Sequence, residues 1–156
     1  MFSIELRQQQ PNAVMQPLVQ PLPEVRISNP PPRLLFRRAL VVDDSALNRK
    51  MVVNVLKDYF SEVVQAGDGL EALDAMRRAM ESNQVFDIVF MDSIMPNMGG
   101  IEACRVMRSL GFTNMIIAVT GNILPEDVRE YADAGANDVL IKPLKIEKLE
   151  ETLESK

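Results

Sequence analysis

The chain contains no histidine. That absence removes imidazole as a general acid or base and excludes every histidine-containing metal site, so a bound metal would have to rest on oxygen ligands. A single cysteine, Cys104, cannot form an internal disulfide and reads as a small buried hydrophobe. Nothing in the chain calls for an oxidising compartment. No apolar run approaches membrane-spanning length, and the opening "MFSIELRQQQ" lacks a basic segment followed by an apolar one. The expectation is a soluble, cytoplasmic protein. Positive charge is also in deficit: the net charge of −5 argues against nucleic acid as a direct partner and against an anionic membrane surface.

Proline is concentrated at one end. Seven of the ten prolines fall within residues 1–37, with several glutamines and the run "NPPPR". Apolar residues in this stretch follow neither a helical nor a strand period. Such a composition buries too little surface to offset its ordering entropy, which predicts a flexible, partly polyproline tail. It reads as a linker, or as a docking segment for a proline-reading domain. The tail carries four arginines against Glu5 and Glu24, a charge of +2, leaving −7 on residues 38–156. Those residues are long enough, and with 47% hydrophobic residues overall the chain is apolar enough, for one ordinary domain with its own core.

From Arg38 the pattern becomes regular. "ALVVDD", "EVVQAG", "DIVFMD", "MIIAVTG" and "DVLIKPL" are short runs rich in Val and Ile, typical of strands buried on both faces. Each is followed by a helical period: Leu47, Met51, Val52, Val55 and Leu56 after the first, Leu70, Leu73 and Met76 after the second, Ile101, Val106 and Leu110 after the third. "LPEDVREYADAGA" opens with Pro125 in a first turn and closes near Gly135, and the last segment aligns Ile146, Leu149 and Leu153. Five alternating units predict an α/β fold, a doubly wound five-stranded parallel sheet, since eight would be needed to close a barrel. In such sheets ligands bind beyond the carboxyl ends of the strands.

The chemistry-bearing residues fall at those ends. Asp43 and Asp44 follow the first run, Asp92 ends the third, Thr120 the fourth and Lys142 the fifth. Singly, each has a plain explanation: Asp44 or Ser45 as a helix cap, Asp92 in a turn, Thr120 as a common strand residue, Lys142 as a solvated cation. Together they place three carboxylates, a hydroxyl and an ammonium along one sheet edge. Clustered carboxylates suit a hard divalent cation such as Mg²⁺, which also relieves the repulsion within the Asp43–Asp44 pair. A lysine among them implies an anionic guest, for which phosphate is the natural choice. With its charge neutralised, a phosphoryl group can be attacked by a carboxylate to give an acyl phosphate. Asp92, on the strand opposite the acidic pair, is the best nucleophile, and Thr120 has a hydroxyl to offer a phosphoryl oxygen.

"LVVDDSALNR", "DIVFMDSIMPNMGGIEA", "AVTGN" and "GANDVLIKP" stand in the order and approximate spacing of a known family. Over residues 38 to about 155 the chain resembles the receiver domains of two-component response regulators, and "DDSALNR" is most similar to receivers of hybrid histidine kinases. The resemblance implies a flavodoxin-like strand order 2-1-3-4-5. It implies that Asp92 accepts phosphate from a histidine on a partner, either a histidine kinase or a histidine phosphotransfer protein. It further implies that Asp44 binds Mg²⁺ directly, that Asp43 acts largely through water, that the backbone carbonyl of Ile94 is a metal ligand, and that Thr120 and Lys142 read the phosphate. Receivers are phosphoacceptors with slow self-dephosphorylation at most, not enzymes in the usual sense.

Two positions depart from the commonest pattern of that family. Val139 stands where an aromatic usually turns inward on phosphorylation. Ile94 stands where many members carry a polar side chain near the attacking water, from which we expect a long-lived aspartyl phosphate, partly opposed by Asn122. The resemblance also favours a cis Lys142–Pro143 bond. Two other readings stay open from sequence: a pseudo-receiver that serves only as an interaction module, and an Mg²⁺-dependent phosphohydrolase, which would need a second acid where Ile94 stands. "MPNMGG" reads as a turn, the ten methionines as core fillers, and the chain's close after a fifth helix as the lack of an output domain.

Overall fold

A computed structural model describes residues 38–155; the expectations placed on residues 1–37 lie outside the described residues. The elements alternate strictly: β1 Arg38–Val42, α1 Ala46–Leu56, β2 Glu62–Ala66, α2 Gly69–Glu81, β3 Ile88–Asp92, α3 Gly100–Ser109, β4 Met115–Thr120, α4 Pro125–Ala134, β5 Asp138–Ile141 and α5 Ile146–Glu154. The strands form one parallel sheet in the order β2-β1-β3-β4-β5. Strand order reverses at β1, which lies between β2 and β3, so β1 and β3 flank the crevice in which such sheets bind ligands.

Successive residues of a strand face opposite sides of a sheet, and the interior divides accordingly. Leu40, Val42, Val89, Met91 and Ile116 pack with α2 and α3 through Met76 and Met107, and Ala134 of α4 joins them. Ala39, Val41, Phe90, Ile117 and Val119 pack with α1 and α5 through Leu56 and Leu149. Because the strands are covered on both sides they read as continuous apolar runs, and each fully buried side chain of this size contributes about 1.5–3 kcal/mol.

Met76, Met91 and Met107 are core residues, as the sequence suggested, but Met51 is 53% exposed, together with Leu47 at 68%. The helical period of α1 is real, yet only Leu56 is fully buried. Val52, Val53 and Val55 are partly buried against the sheet, so the apolar stripe of α1 is covered only in part.

Local chemistry aims the strand ends. Ser45 caps α1, its hydroxyl accepting from the Asn48 amide at 3.3 Å, which leaves the Asp44 carboxylate out of the capping role. Asp68 caps α2 by accepting from Glu71 N–H, and its other oxygen accepts from Asn97 Nδ2 at 2.7 Å. Asn97 adopts a left-handed backbone at φ 64, so the loop after β3 is tied to the start of α2. Gly100 opens α3 against the end of β3: a Cβ there would overlap the carbonyl of Asp92. α4 ends at Gly135, where φ is 96. The Lys142–Pro143 bond is cis. No described helix is long and apolar enough to cross a membrane.

Candidate functional site

In the register of β1 with β3, Val42 lies opposite Met91, which sets Asp43 level with Asp92 on the next strand. Asp43, Asp44 and Asp92 each offer a carboxylate oxygen, and these oxygens lie within 4.8 Å of one another. Asp43 and Asp92 are buried, whereas Asp44 is exposed. The two buried acids share one cation: Lys142 Nζ donates to Asp43 Oδ2 at 2.6 Å and reaches Asp92 Oδ1 at 2.9 Å. Lys142 arrives from β5, two strands beyond β3, and its amide is fixed by donation to Thr120 O at 2.7 Å. Four of the five residues singled out from sequence therefore converge directly.

The carboxylates differ in what they have left to offer. Both oxygens of Asp43 are engaged, Oδ1 accepting from the Ser45 amide at 2.8 Å and Oδ2 from Lys142. Its backbone carbonyl accepts from Arg49 at 2.6 Å. Among the described residues nothing hydrogen bonds to the Asp44 carboxylate, so its oxygens are free for a cation. Among the described residues Asp92 keeps one oxygen unengaged while Oδ1 accepts from the Ser93 amide at 2.8 Å. Burial pushes the Asp92 carboxyl above its ordinary range, against the opposing hydrogen bond and charge of Lys142, and the nearby Asp43 charge pushes the same way. Burial pulls the Lys142 ammonium down, but its hydrogen bonds to Asp43 and Asp92 outweigh this and leave it raised, firmly cationic.

Three carboxylates around one ammonium leave a surplus of negative charge on a sheet edge. This donor set fits a hard divalent cation that takes oxygen ligands and keeps several waters. Thr120 is buried at the end of β4, but its hydroxyl donates to Asn122 O at 2.8 Å and accepts from the Asn122 amide at 3.3 Å, so it is turned into its own loop rather than toward Asp92. Ile94 is 85% exposed beside the acids. Val139 lies half-buried on β5 and supplies no aromatic.

Sequence reasoning missed two hydroxyls. Tyr131 of α4 is 2% exposed. Its OH and the Ser93 Oγ stand close enough for the serine to act on the phenol, yet neither completes a hydrogen bond of acceptable geometry. An unsatisfied buried hydroxyl costs about 1–3 kcal/mol. Apolar spacing did not signal the buried phenol: Leu124 and Val128, which precede Tyr131 at helical intervals, are exposed, and the buried residues of α4 are Tyr131 and Ala134.

Comparison with known proteins agrees with this geometry. Residues 39–154 match the family model of the response regulator receiver domain. The chain is 41% identical over 106 residues to the transcription factor SKN7 of Chaetomium thermophilum, covering 68% of this chain and 14% of that protein. It is 39% identical over 113 residues to the two-component response regulator ORR41 of rice, covering 72% of this chain and 87% of that protein. Among solved structures, the receiver domain of the histidine kinase CKI1 from Arabidopsis thaliana, complexed with Mg²⁺ and BeF₃⁻, superposes with a TM-score of 0.65 at 37% identity, over 77% of this chain and 91% of that one. The chain spans only 12–16% of the length of the first curated relatives it matches. The flavodoxin-like order expected from sequence is the order observed. Sheet, acidic edge and sequence similarity converge: the chain belongs to the response regulator receiver domain family of two-component and phosphorelay signalling.

Proposed function

We propose that Asp92 accepts a phosphoryl group from a phosphohistidine on a partner, a histidine kinase or a histidine phosphotransfer protein, and that the acyl phosphate switches the affinity of residues 38–156 for a further partner. The observation that carries this reading is the single cluster of Asp43, Asp44, Asp92 and Lys142 at the reversal of strand order. An oxygen of Asp92 attacks phosphorus, the bond from phosphorus to the donor nitrogen breaks, and the imidazole leaves and takes up a proton. Mg²⁺, when bound, offsets the negative charge shared by phosphoryl group and carboxylates.

Asp44 and Asp92, with the Ile94 backbone carbonyl, are proposed as direct ligands of that ion. Asp43, whose oxygens already serve Ser45 and Lys142, acts through water. Lys142 orients the nucleophile and then holds the phosphoryl oxygens, and Thr120 turns from Asn122 to donate to one of them. The chain has no histidine of its own, so the donor is external. A groove of about 330 Å³ beside Asp43, lined by Met51, Val55, Pro143 and Leu144, and the exposed Leu47 and Ile94 give a protein donor apolar purchase next to the acid. Residues 1–37 serve as a linker outside the receiver.

The test is incubation with acetyl phosphate with and without Mg²⁺, read as a phosphorylated band by mobility shift. Phosphorylation that needs Mg²⁺ and is abolished in Asp92→Asn supports the assignment. A shift that survives Asp92→Asn, or forms equally without Mg²⁺, overturns it. The Ile94 side chain offers no polar group to water, so the acyl phosphate should persist well beyond seconds in purified protein, and a lifetime of seconds contradicts that part of the reading.

A further inference from the structure

α4 is held to the domain by two fully buried side chains, Tyr131 and Ala134. Helical side chains tilt toward the helix N-terminus, so from the second turn of α4 the phenol rises toward the strand-end edge and meets the residue that follows Asp92. There its OH and the Ser93 Oγ are buried without hydrogen-bond partners. Each side of this unpaired couple is joined to the acid site. The Ser93 amide donates to Asp92 Oδ1 at 2.8 Å, a bond that changes once that carboxylate becomes an acyl phosphate. The Thr120 hydroxyl donates to Asn122 O at 2.8 Å, in the loop that enters α4, and its transfer to a phosphoryl oxygen releases that loop. β5 offers no substitute, because Val139 has no side-chain polar atom, and the other tyrosine, Tyr59, is engaged with Glu150.

Resting on the phosphoacceptor reading above, we propose that Tyr131 is the positioning residue that passes the state of Asp92 to α4: the Tyr131 and Ser93 hydroxyls, unpaired in the free protein, close a hydrogen bond when Asp92 carries a phosphoryl group, and α4 shifts with the phenol. By linkage, whatever closes that bond on phosphorylation also favours the loaded site. Removing either hydroxyl therefore weakens equilibrium binding of a phosphoryl mimic without weakening the free protein.

The experiment uses the full chain and beryllofluoride with Mg²⁺ as the probe. Tyr131→Phe and Ser93→Ala should each lower beryllofluoride affinity by about two- to tenfold, the worth of one hydrogen bond. The double variant should lose no more than either single one, and Tyr131→Phe should leave the melting temperature of the unloaded protein unchanged or raised. The chain has no tryptophan and two tyrosines, so in a Tyr59→Phe background the fluorescence belongs to Tyr131 and should change on loading. Unchanged affinity in both single variants, additive losses in the double variant, or tyrosine emission indifferent to Mg²⁺-dependent loading each overturns the coupling while leaving the phosphoacceptor reading intact. Failure of the unsubstituted protein to bind beryllofluoride, or binding retained in Asp92→Asn, removes the phosphoacceptor reading and the coupling with it.

Discussion

Replacing Asp44 by asparagine should make the protein more stable without Mg²⁺ and less stable with it. The Asp44 oxygen lies within 4.8 Å of oxygens on Asp43 and Asp92. At that separation two unit charges repel by about 0.9 kcal/mol in bulk water and about 3.5 kcal/mol at an effective dielectric of 20. Lys142 cancels roughly one of the two neighbouring charges, and Asp44 is exposed, so the net repulsion is nearer the lower bound, about 1–2 kcal/mol. At about 4 °C per kcal/mol for a domain of this size, Asp44→Asn should raise the melting temperature in chelator by about 4–8 °C, and less at high salt. Mg²⁺ at a hundredfold excess over its dissociation constant stabilises the unsubstituted protein by about 2.7 kcal/mol. The variant, lacking the one carboxylate with both oxygens free, should lose most of that gain. Melting curves followed by circular dichroism, with EDTA and with Mg²⁺, should therefore cross in order. A variant that melts lower in EDTA, or that gains as much from Mg²⁺ as the parent, refutes the assignment of surplus charge and metal affinity to Asp44.

Other outcomes follow from single contacts. Gly100→Ala drives a methyl group into the Asp92 carbonyl; it should destabilise the fold by about 1–3 kcal/mol in urea titration and slow phosphorylation by acetyl phosphate. Arg108 donates to the carbonyls of Phe112, Asn114 and Gly135 and to Asn137 Oδ1; Arg108→Ala should cost about 2–3 kcal/mol, with hydrogen exchange accelerated where α3 meets the end of α4. Burial first, and then the hydrogen bond and charge of Glu150, raise Tyr59 from 10.0 to about 12. The folded state thus keeps that proton more tightly than the unfolded chain, and the resulting stability is complete below pH 10 and disappears as pH rises toward 12. Tyr59→Phe should make unfolding less sensitive to alkali across that window, and an unaltered alkaline profile speaks against the Glu150 contact.

Much of this was legible in sequence because the signals were local and repeated. Val and Ile runs can only be central parallel strands if helices cover both faces; all five appear, four within two residues of the expected limits and the fifth ending at Ile141, three residues short of its run, before the cis Lys142–Pro143 bond. The acid site followed from the rule that strand ends carry function, and Asp43, Asp44, Asp92 and Lys142 do meet. Thr120 was placed at the correct edge, but which way its hydroxyl turns depends on Asn122, a loop geometry that composition does not encode. Leu47 and Met51 carry the helical period of a buried face and yet lie open, because period reports a common side of a helix and not whether a neighbour reaches it. The Tyr131–Ser93 encounter joins residues far apart in sequence, and no local pattern announces it.

The lysine that pairs with Asp43 lies 99 positions further along the chain. During synthesis the carboxylates of β1 and β3 are therefore made long before their counter-charge, and a chain ending at β4 would present an acidic, unneutralised rim with no ammonium to orient it. Loop closure over such a span is slow compared with helix formation. The acid cluster thus gains its counter-charge only with the last strand, so the charge balance of this rim is a property of the finished sheet and of no shorter piece of it.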